Sequence, residues 1–395
     1  MSLDLATGLV PRGARAASTM ARASVATLRA SIRHHRVYLF LILGYGLAMI
    51  VAGALSGGSA VINLQIFSEP LLVLTAVPAI VTVLGHAIWV MVVVRPEGAL
   101  APAIVSDFRD RFLTARRLAD FLVVAGTGPL FFSIFGSFKQ MVPYLNPFSW
   151  DATLMSWDRA LHGGQHAWLL LQPWLATPWL TSAINVVYNI WIIILFGIFL
   201  WQAWSTRRPA LRMQFLLSFV LCWIVVGTVL ATVFSSAGPV FYGRVTGLDD
   251  PYAPLMRYLY TARESFPVWS LAVQEMLWNA YANRHMVVGG GISAMPSMHV
   301  AIAVLFALLG WRIGRRAGIA LTLFALIIQI GSVHLGWHYA IDGYVAAVTT
   351  MAIWFAVGRA LRGSRRGTRP APRNRPPRRG SRNASAASLE RGNAS

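Results

Sequence analysis

Eight apolar runs, most of them about twenty residues long, divide this chain, and arginines gather at alternate gaps between them. The runs cover about 37–55, 71–94, 119–138, 180–202, 212–234, 297–312, 317–335 and 339–358. A helix rises about 1.5 Å per residue, so some twenty apolar residues cross the ~30 Å hydrocarbon core of a bilayer. Inside lipid only helices and closed barrels satisfy every backbone N–H and C=O. The pattern predicts an all-α polytopic membrane bundle of about eight transmembrane helices. Runs six and seven are short, separated by the polar break Arg312-Ile-Gly-Arg-Arg316.

Composition closes off the soluble alternative. Only 12% of residues are charged and 56% are hydrophobic, against roughly 25% charged in soluble domains. The formal net charge of +20 is almost all arginine, and Lys139 is the only lysine. Such an excess suits nucleic acid or anionic lipid. Arginines placed at span ends favour lipid, so no nucleic-acid partner is expected. With the N-terminus inside, even-numbered spans end beside Arg95, Arg207-Arg208-Arg212, Arg312-Arg315-Arg316 and the C-terminal tail. The segment 95–117 adds Arg109, Arg111, Arg116 and Arg117. Every short inner loop is then basic, as the positive-inside rule requires. Both termini are expected in the cytoplasm.

Four segments follow: a basic N-terminal stretch 1–36, two accessory helices with a basic linker at 37–118, a six-helix domain at 119–361, and an Arg/Pro-rich tail at 362–395. The first apolar run starts too far in for a simple cleavable signal peptide. Leu9-Val-Pro-Arg-Gly13 looks like a protease-site scar and carries no structural weight. The tail lacks large apolar side chains, so it is expected to be disordered and to touch anionic inner-leaflet lipid. Cys222 is the only cysteine, which excludes an intramolecular disulfide.

Two short stretches carry chemistry. His299 lies in Met295-Pro296-Ser297-Met298-His299, and about forty residues on comes Ser332-Val-His334-Leu-Gly-Trp-His338-Tyr-Ala-Ile-Asp342. On a helix, His338 and Asp342 share a face one turn apart. A carboxylate there holds the imidazole's tautomer and supports its charge. In the expected topology His299 begins span six from outside, and His338 and Asp342 begin span eight from outside, so both halves meet at the extracytoplasmic surface. A neutral imidazole can attack phosphorus and form a phosphohistidine. A second histidine can serve as acid and then base, help typically worth ~10²–10⁴-fold. Phosphoryl oxygens also need positive donors. The outer candidates are Lys139, Arg159, Arg244, Arg257, Arg263 and Arg284.

Plainer readings stand beside these. Pro296-Ser297 is a good helix start, and a Ser297 cap needs no catalysis. His334 lies one turn before His338, and His-x₃-His is a usable metal spacing. Asp151, Asp158, Arg159 and His162 recur at helical spacing, either as the solvated face of an interfacial helix or, for Asp158 and Arg159, as headgroup contacts. The outer segments 139–179 and 235–296 are rich in aromatics, Trp150, Trp157, Trp168, Trp174, Tyr242 and Tyr252 among them, which suit the membrane interface. Tyr188-Asn189 reads as packing glue between helices. Gly289-Gly-Gly291 reads as a hinge, since a phosphate cradle would want a following lysine.

Pro296-Ser297-Met298-His299 and Gly331-Ser-Val-His-Leu-Gly-Trp-His338-Tyr-Ala-Ile-Asp342 resemble the second and third signatures of the type 2 phosphatidic acid phosphatase superfamily. The His338-Tyr-Ala-Ile-Asp342 wording is similar to the sphingolipid-synthase branch, which includes inositol phosphorylceramide synthase. Ser236-Ala-Gly-Pro239 and Trp150-Asp151 through Asp158-Arg159-Ala-Leu-His162-Gly-Gly164 resemble outer-loop motifs of the same branch. The resemblance spans roughly 119–358. It implies a six-helix catalytic core, no metal or other cofactor, and lipid phosphate or phosphodiester substrates. It makes His338 the nucleophile, Asp342 its orienting partner and His299 the general acid and base. The superfamily's first signature, Lys-x₆-Arg-Pro, is missing: seven residues after Lys139 stands Asn146, followed by Pro147. Gly331-Ser332 stands where hydrolytic members have Ser-Arg. Two phosphate-holding cations are therefore absent from their usual places, which favours the transferase-like branch.

The sequence thus predicts a phosphotransferase that moves a phosphoryl headgroup from a phospholipid to a lipid alcohol. Hydrolysis of a lipid phosphate or polyprenyl diphosphate is the second reading, and a transporter or inactive scaffold the third. Lys139 is the first candidate for holding phosphate. Arg159, Asp158, Ser297, His334 and Tyr242 complete the expected substrate-binding set.

Overall fold

The computed structural model describes residues 24–367; the expectations for Leu9–Gly13 and for the tail beyond Gly367 lie outside them. The chain is 80% helical, with no strand among the described residues. A helix over 24–34 leads into α1 (Arg36–Ser56). There follow α2 (Ser68–Val94), α3 (Leu100–Phe112), α4 (Ala115–Leu145), α5 (Asp151–Leu161), α6 (Ala167–Leu175), α7 (Pro178–Trp204) and α8 (Pro209–Val233). The chain ends with α9 (Ala253–Ser265), α10 (Trp269–Ala282), α11 (Met298–Ile313), α12 (Arg315–His334) and α13 (Ala340–Gly367). Seven of these, α1, α2, α4, α7, α8, α12 and α13, are long and apolar enough to cross a membrane, and the protein is an integral membrane helix bundle.

All eight apolar runs form helices, with two adjustments. The third is longer than its hydropathy suggests: α4 runs 31 residues, interrupted only by a turn at Thr127. Gly128-Pro129 restarts it, since proline suits a first helical turn. Gly136 keeps α4 against the loop before α2, where a Cβ would lie 2.8 Å from the Phe67 ring. The sixth run, α11, has only 16 residues.

Lipid tails are as apolar as leucine, so helices in a bilayer associate through close packing and polar contacts rather than expulsion from water. The central layer obeys this. α11 packs on α12 and α13, and α8 lies against α1, α11 and α13. Phe131, Phe132, Phe196, Phe215, Phe219 and Phe306 interleave among them. α1 docks through Tyr38, Ile42, Tyr45 and Met49, one stripe at helical spacing. Its Tyr45 hydroxyl meets Thr228 Oγ1 at 2.6 Å. Thr228 lies in a wide π turn of α8, Val225–Leu230, that brings Gly227 against Phe135 and Met298. α2 shows the opposite pattern, with Leu72, Val73, Val77, Ile80 and Val81 all facing outward.

One arginine of the basic gaps is not a surface anchor. Arg212 is buried and donates to the Gln202 and Ala203 carbonyls and to His35 Nε2 at 2.7 Å. The other ring nitrogen of His35 donates to the Ser31 carbonyl, and Ser31 Oγ donates to Asp120. Burial pushes the His35 imidazole down to about 4, so it is neutral, as the tautomer accepting from Arg212 requires.

Candidate active site

Helix α12 stops at His334, and the chain turns through Leu335–Tyr339 before α13 starts at Ala340. His338 therefore lies in the turn, not on a helix face with Asp342 as the spacing suggested. The pair forms all the same. His338 Nδ1 is 3.2 Å from Asp342 Oδ2, and that oxygen also accepts the Tyr339 N–H at 3.1 Å. A first-turn carboxylate reaching back to the residue before its helix is half of a capping box. One side chain thus starts α13 and orients the imidazole.

A second layer of carboxylates fixes the same turn. Asp158 Oδ1 accepts the Ile341 N–H at 2.9 Å. Asp151 accepts the Tyr339 hydroxyl at 2.9 Å and the N–H groups of Ala237 and Gly238, each at 2.8 Å. Gly238 takes φ +94°, and a Cβ there would meet the Trp337 carbonyl at 2.6 Å. The Ser236-Ala-Gly-Pro239 segment is thereby pressed onto the residue before His338. Asp151 and Asp158 are buried. Burial raises both carboxyls above the ordinary range; the backbone donors and, at Asp151, the Tyr339 hydroxyl pull them back. The solvated-face reading of these two acids is corrected: α5 turns them inward and exposes Trp157 and Leu161.

The other half of the site is built from packing. Ser297 caps α11, its hydroxyl accepting the Val300 N–H, and its own N–H donates to the Asp342 carbonyl at 3.2 Å. That bond ties the start of α11 to the start of α13. The His299 ring stacks on Tyr188 at 4.5 Å and 16°, and lies 4.2 Å from the Trp191 ring. The Trp191 indole N–H donates to the His299 carbonyl. Tyr188, read as interhelical glue, is instead a wall of the site.

His299, His338 and Lys139 line one cavity of about 310 Å³. Farther along α4, α7 and α8 its walls are Phe132, Phe196 and Trp223. Among the described residues Lys139 forms no ion pair. Gly291, at φ +85°, lies so close to α4 that a Cβ would sit 2.8 Å from the Lys139 carbonyl. The triple-glycine segment is therefore packed against the lysine's own backbone and is not a free hinge. Burial, with Lys139 acting the same way and the Ala294 backbone opposing, pushes the His338 imidazole down to about 3. It is neutral at ordinary pH.

The remaining expected residues lie outside the cavity. Arg159 is exposed and donates to the Gly164 carbonyl at 2.6 Å. His334 Nε2 meets Thr181 Oγ1 at 2.9 Å, and Thr181 meets the Tyr258 hydroxyl. Among the described residues no three His, Cys, Asp or Glu side chains converge as metal ligands. Tyr242 is buried, with its ring beside Tyr252, which in turn packs on Tyr339. Sequence reasoning missed Tyr339 and Trp191, and it undervalued Asp151 and Tyr188. The available signal was a polar or acidic residue inside an apolar or aromatic context.

The sequence matches the family described as the PAP2 superfamily over residues 152–357, a stretch holding both histidines, Asp158 and Asp342; Asp151 stands one residue before it. The chain belongs to this superfamily, that of the type 2 phosphatidic acid phosphatases, and its chemistry is of the lipid phosphatase and phosphotransferase type. Comparison with curated proteins and with solved structures gives no match.

Proposed function

We propose that the protein is a lipid phosphotransferase of the sphingolipid-synthase type, acting at the extracytoplasmic face through a phosphohistidine on His338. The observation that carries this reading is the shared cavity. It offers a carboxylate-oriented neutral imidazole, a second imidazole and an unpaired ammonium at one end, and aromatic walls running into the bundle. In the first step the His338 nitrogen remote from Asp342 attacks phosphorus. The P–O bond to the donor's leaving group breaks, and protonated His299 gives that oxygen its proton. In the second step His299 takes the proton of the acceptor hydroxyl, whose oxygen attacks phosphorus as the P–N bond breaks. Tyr188 and Trp191 hold the His299 ring in place between aromatic faces. Lys139 balances charge on the phosphoryl oxygens. Walls that exclude water favour an alcohol over hydrolysis. Arginines at the opposite helix ends support N- and C-termini in the cytoplasm.

The test uses the purified protein in vesicles with labelled phosphodiester lipids, with and without ceramide or diacylglycerol, and His338→Ala as blank. New headgroup-bearing lipid that forms only with acceptor is the expected result. Headgroup phosphate released into water at the same rate without acceptor would replace this reading with a hydrolase.

A further inference from the structure

At the far end of the same helices lies a second cleft, of about 840 Å³, between the ends of α2 and α7 and the start of α4. Its distance from the active site follows from α4. Arg116 and Arg117 line the cleft and Lys139 lines the catalytic cavity. Some 22 helical residues separate them, about 33 Å of rise, which is the thickness of a bilayer's hydrocarbon core. The two cavities therefore open at opposite membrane faces.

The chemistry of this cleft is that of an anion site. Arg111, Arg116, Arg117 and Arg207 line it, with Asp110 as the carboxylate among the lining residues. Asp110 pairs with Arg109 at 3.0 Å, and Arg111 with Asp107 at 2.7 Å. Arg117 donates to Thr206 Oγ1. Arg116 and Arg207 have no ion-pair partner among the described residues. Thr114, also in the lining, caps α4 and opens a helix N-terminus toward the cleft, where backbone dipoles favour negative charge. The wall also carries the buried Trp204 indole nitrogen, which has no hydrogen-bond partner among the described residues. The rim is apolar: Trp89 and Trp201 line the cleft, and Val92 and Val93 beside it face outward. Indoles at that depth mark the headgroup level.

We propose that this cleft binds the phosphoryl headgroup of an anionic phospholipid in the leaflet opposite the active site. Basic pockets between transmembrane helices recognise such headgroups through paired guanidinium–phosphate contacts. The apolar rim selects a lipid over a soluble phosphate, because the chains continue along α2 into the bilayer.

The experiment takes the full chain, delipidated in non-ionic detergent, and counts retained lipid by native mass spectrometry. Phosphatidylglycerol, phosphatidylcholine and inorganic phosphate are each added in turn. Phosphatidylglycerol is expected to be retained in preference to phosphatidylcholine. Binding is expected to weaken roughly fivefold for each arginine lost in Arg116→Gln/Arg207→Gln. Arg207 lies in the exposed turn between α7 and α8, so Arg207→Glu alone tests the charge without disturbing a packed helix. Arg263→Gln, at the other membrane face, should leave retention unchanged. Equal retention of both lipids, undiminished binding in the arginine variants, or displacement of the lipid by inorganic phosphate would each overturn the proposal.

Discussion

His338 and His299 share a cavity but are held by different forces. His338 sits in a turn wired by charge: Asp342 on its ring, Asp158 on the helix start and Asp151 on Tyr339. His299 sits on a helix and is held by ring faces, with Tyr188 on one contact and Trp191 on another. The difference fits the two tasks proposed for them. A nucleophile needs one tautomer aimed in one direction, which hydrogen bonds to carboxylates impose. A proton carrier must change charge during the cycle, and aromatic faces tolerate both of its states better than a fixed carboxylate would.

The contrast can be broken experimentally. His338→Ala should remove activity by ~10⁴-fold or more, and His299→Ala by ~10²–10⁴-fold, with membrane insertion intact in both; turnover assays on folded protein measure this. Substantial activity in His338→Ala would falsify the phosphohistidine route. Asp342→Asn keeps the shape but offers the wrong donor to Nδ1, and should cost ~10²-fold or more in kcat. Asp151→Asn acts only through Tyr339 and the 236–239 segment. It should lower kcat by ~10–100-fold with KM unchanged, and Tyr339→Phe should reproduce part of that loss. If Asp151→Asn instead raised KM alone, its place behind His338 would be wrong. On the aromatic side, Trp191→Phe retains a ring but drops the indole donor, so a loss of only a few-fold is expected, seen as a shifted basic limb in the kcat–pH profile.

The smallest effect is on stability. His338 and His35 are lowered from 6.5 to about 3 and about 4 when folded. The unfolded chain therefore binds protons that the folded chain refuses. Stability is complete above about 6.5 and drains away as pH falls toward those folded values. At pH 5 each histidine should contribute ~2 kcal/mol of loss, and thermal unfolding in detergent should show a shallower acid slope in His338→Asn.

Helix count and the identity of the His-Asp pair were legible because each rests on a local rule: apolar length, and a carboxylate four residues from an imidazole. What stayed hidden depends on tertiary contact. The break between runs seven and eight at 335–339 was legible, but that it takes His338 off the helix face of Asp342 was not. Asp151 and Asp158 carried helical spacing that equally describes a wet surface, and only the arrival of Ala237, Gly238, Tyr339 and Ile341 decides otherwise. Arg212 looked like one more charge at a span end until His35 and two carbonyls closed around it. The family match supports the lipid-phosphate class, while Lys139 remains the only expected cation the fold brings to the cavity.

The sixteen residues of α11 act as a ruler. They rise about 24 Å, against a hydrocarbon core of ~30 Å. Thirteen residues, about 20 Å of rise, separate Arg312 from His299, so with Arg312 anchored among the headgroups at one surface His299 stands about 10 Å short of the other. On the proposed reading, bonds would then be made and broken just below the headgroups. A lipid substrate would meet the two imidazoles without its chains leaving the leaflet, and the proposed acceptor alcohol, borne on a lipid, would already be at the right height.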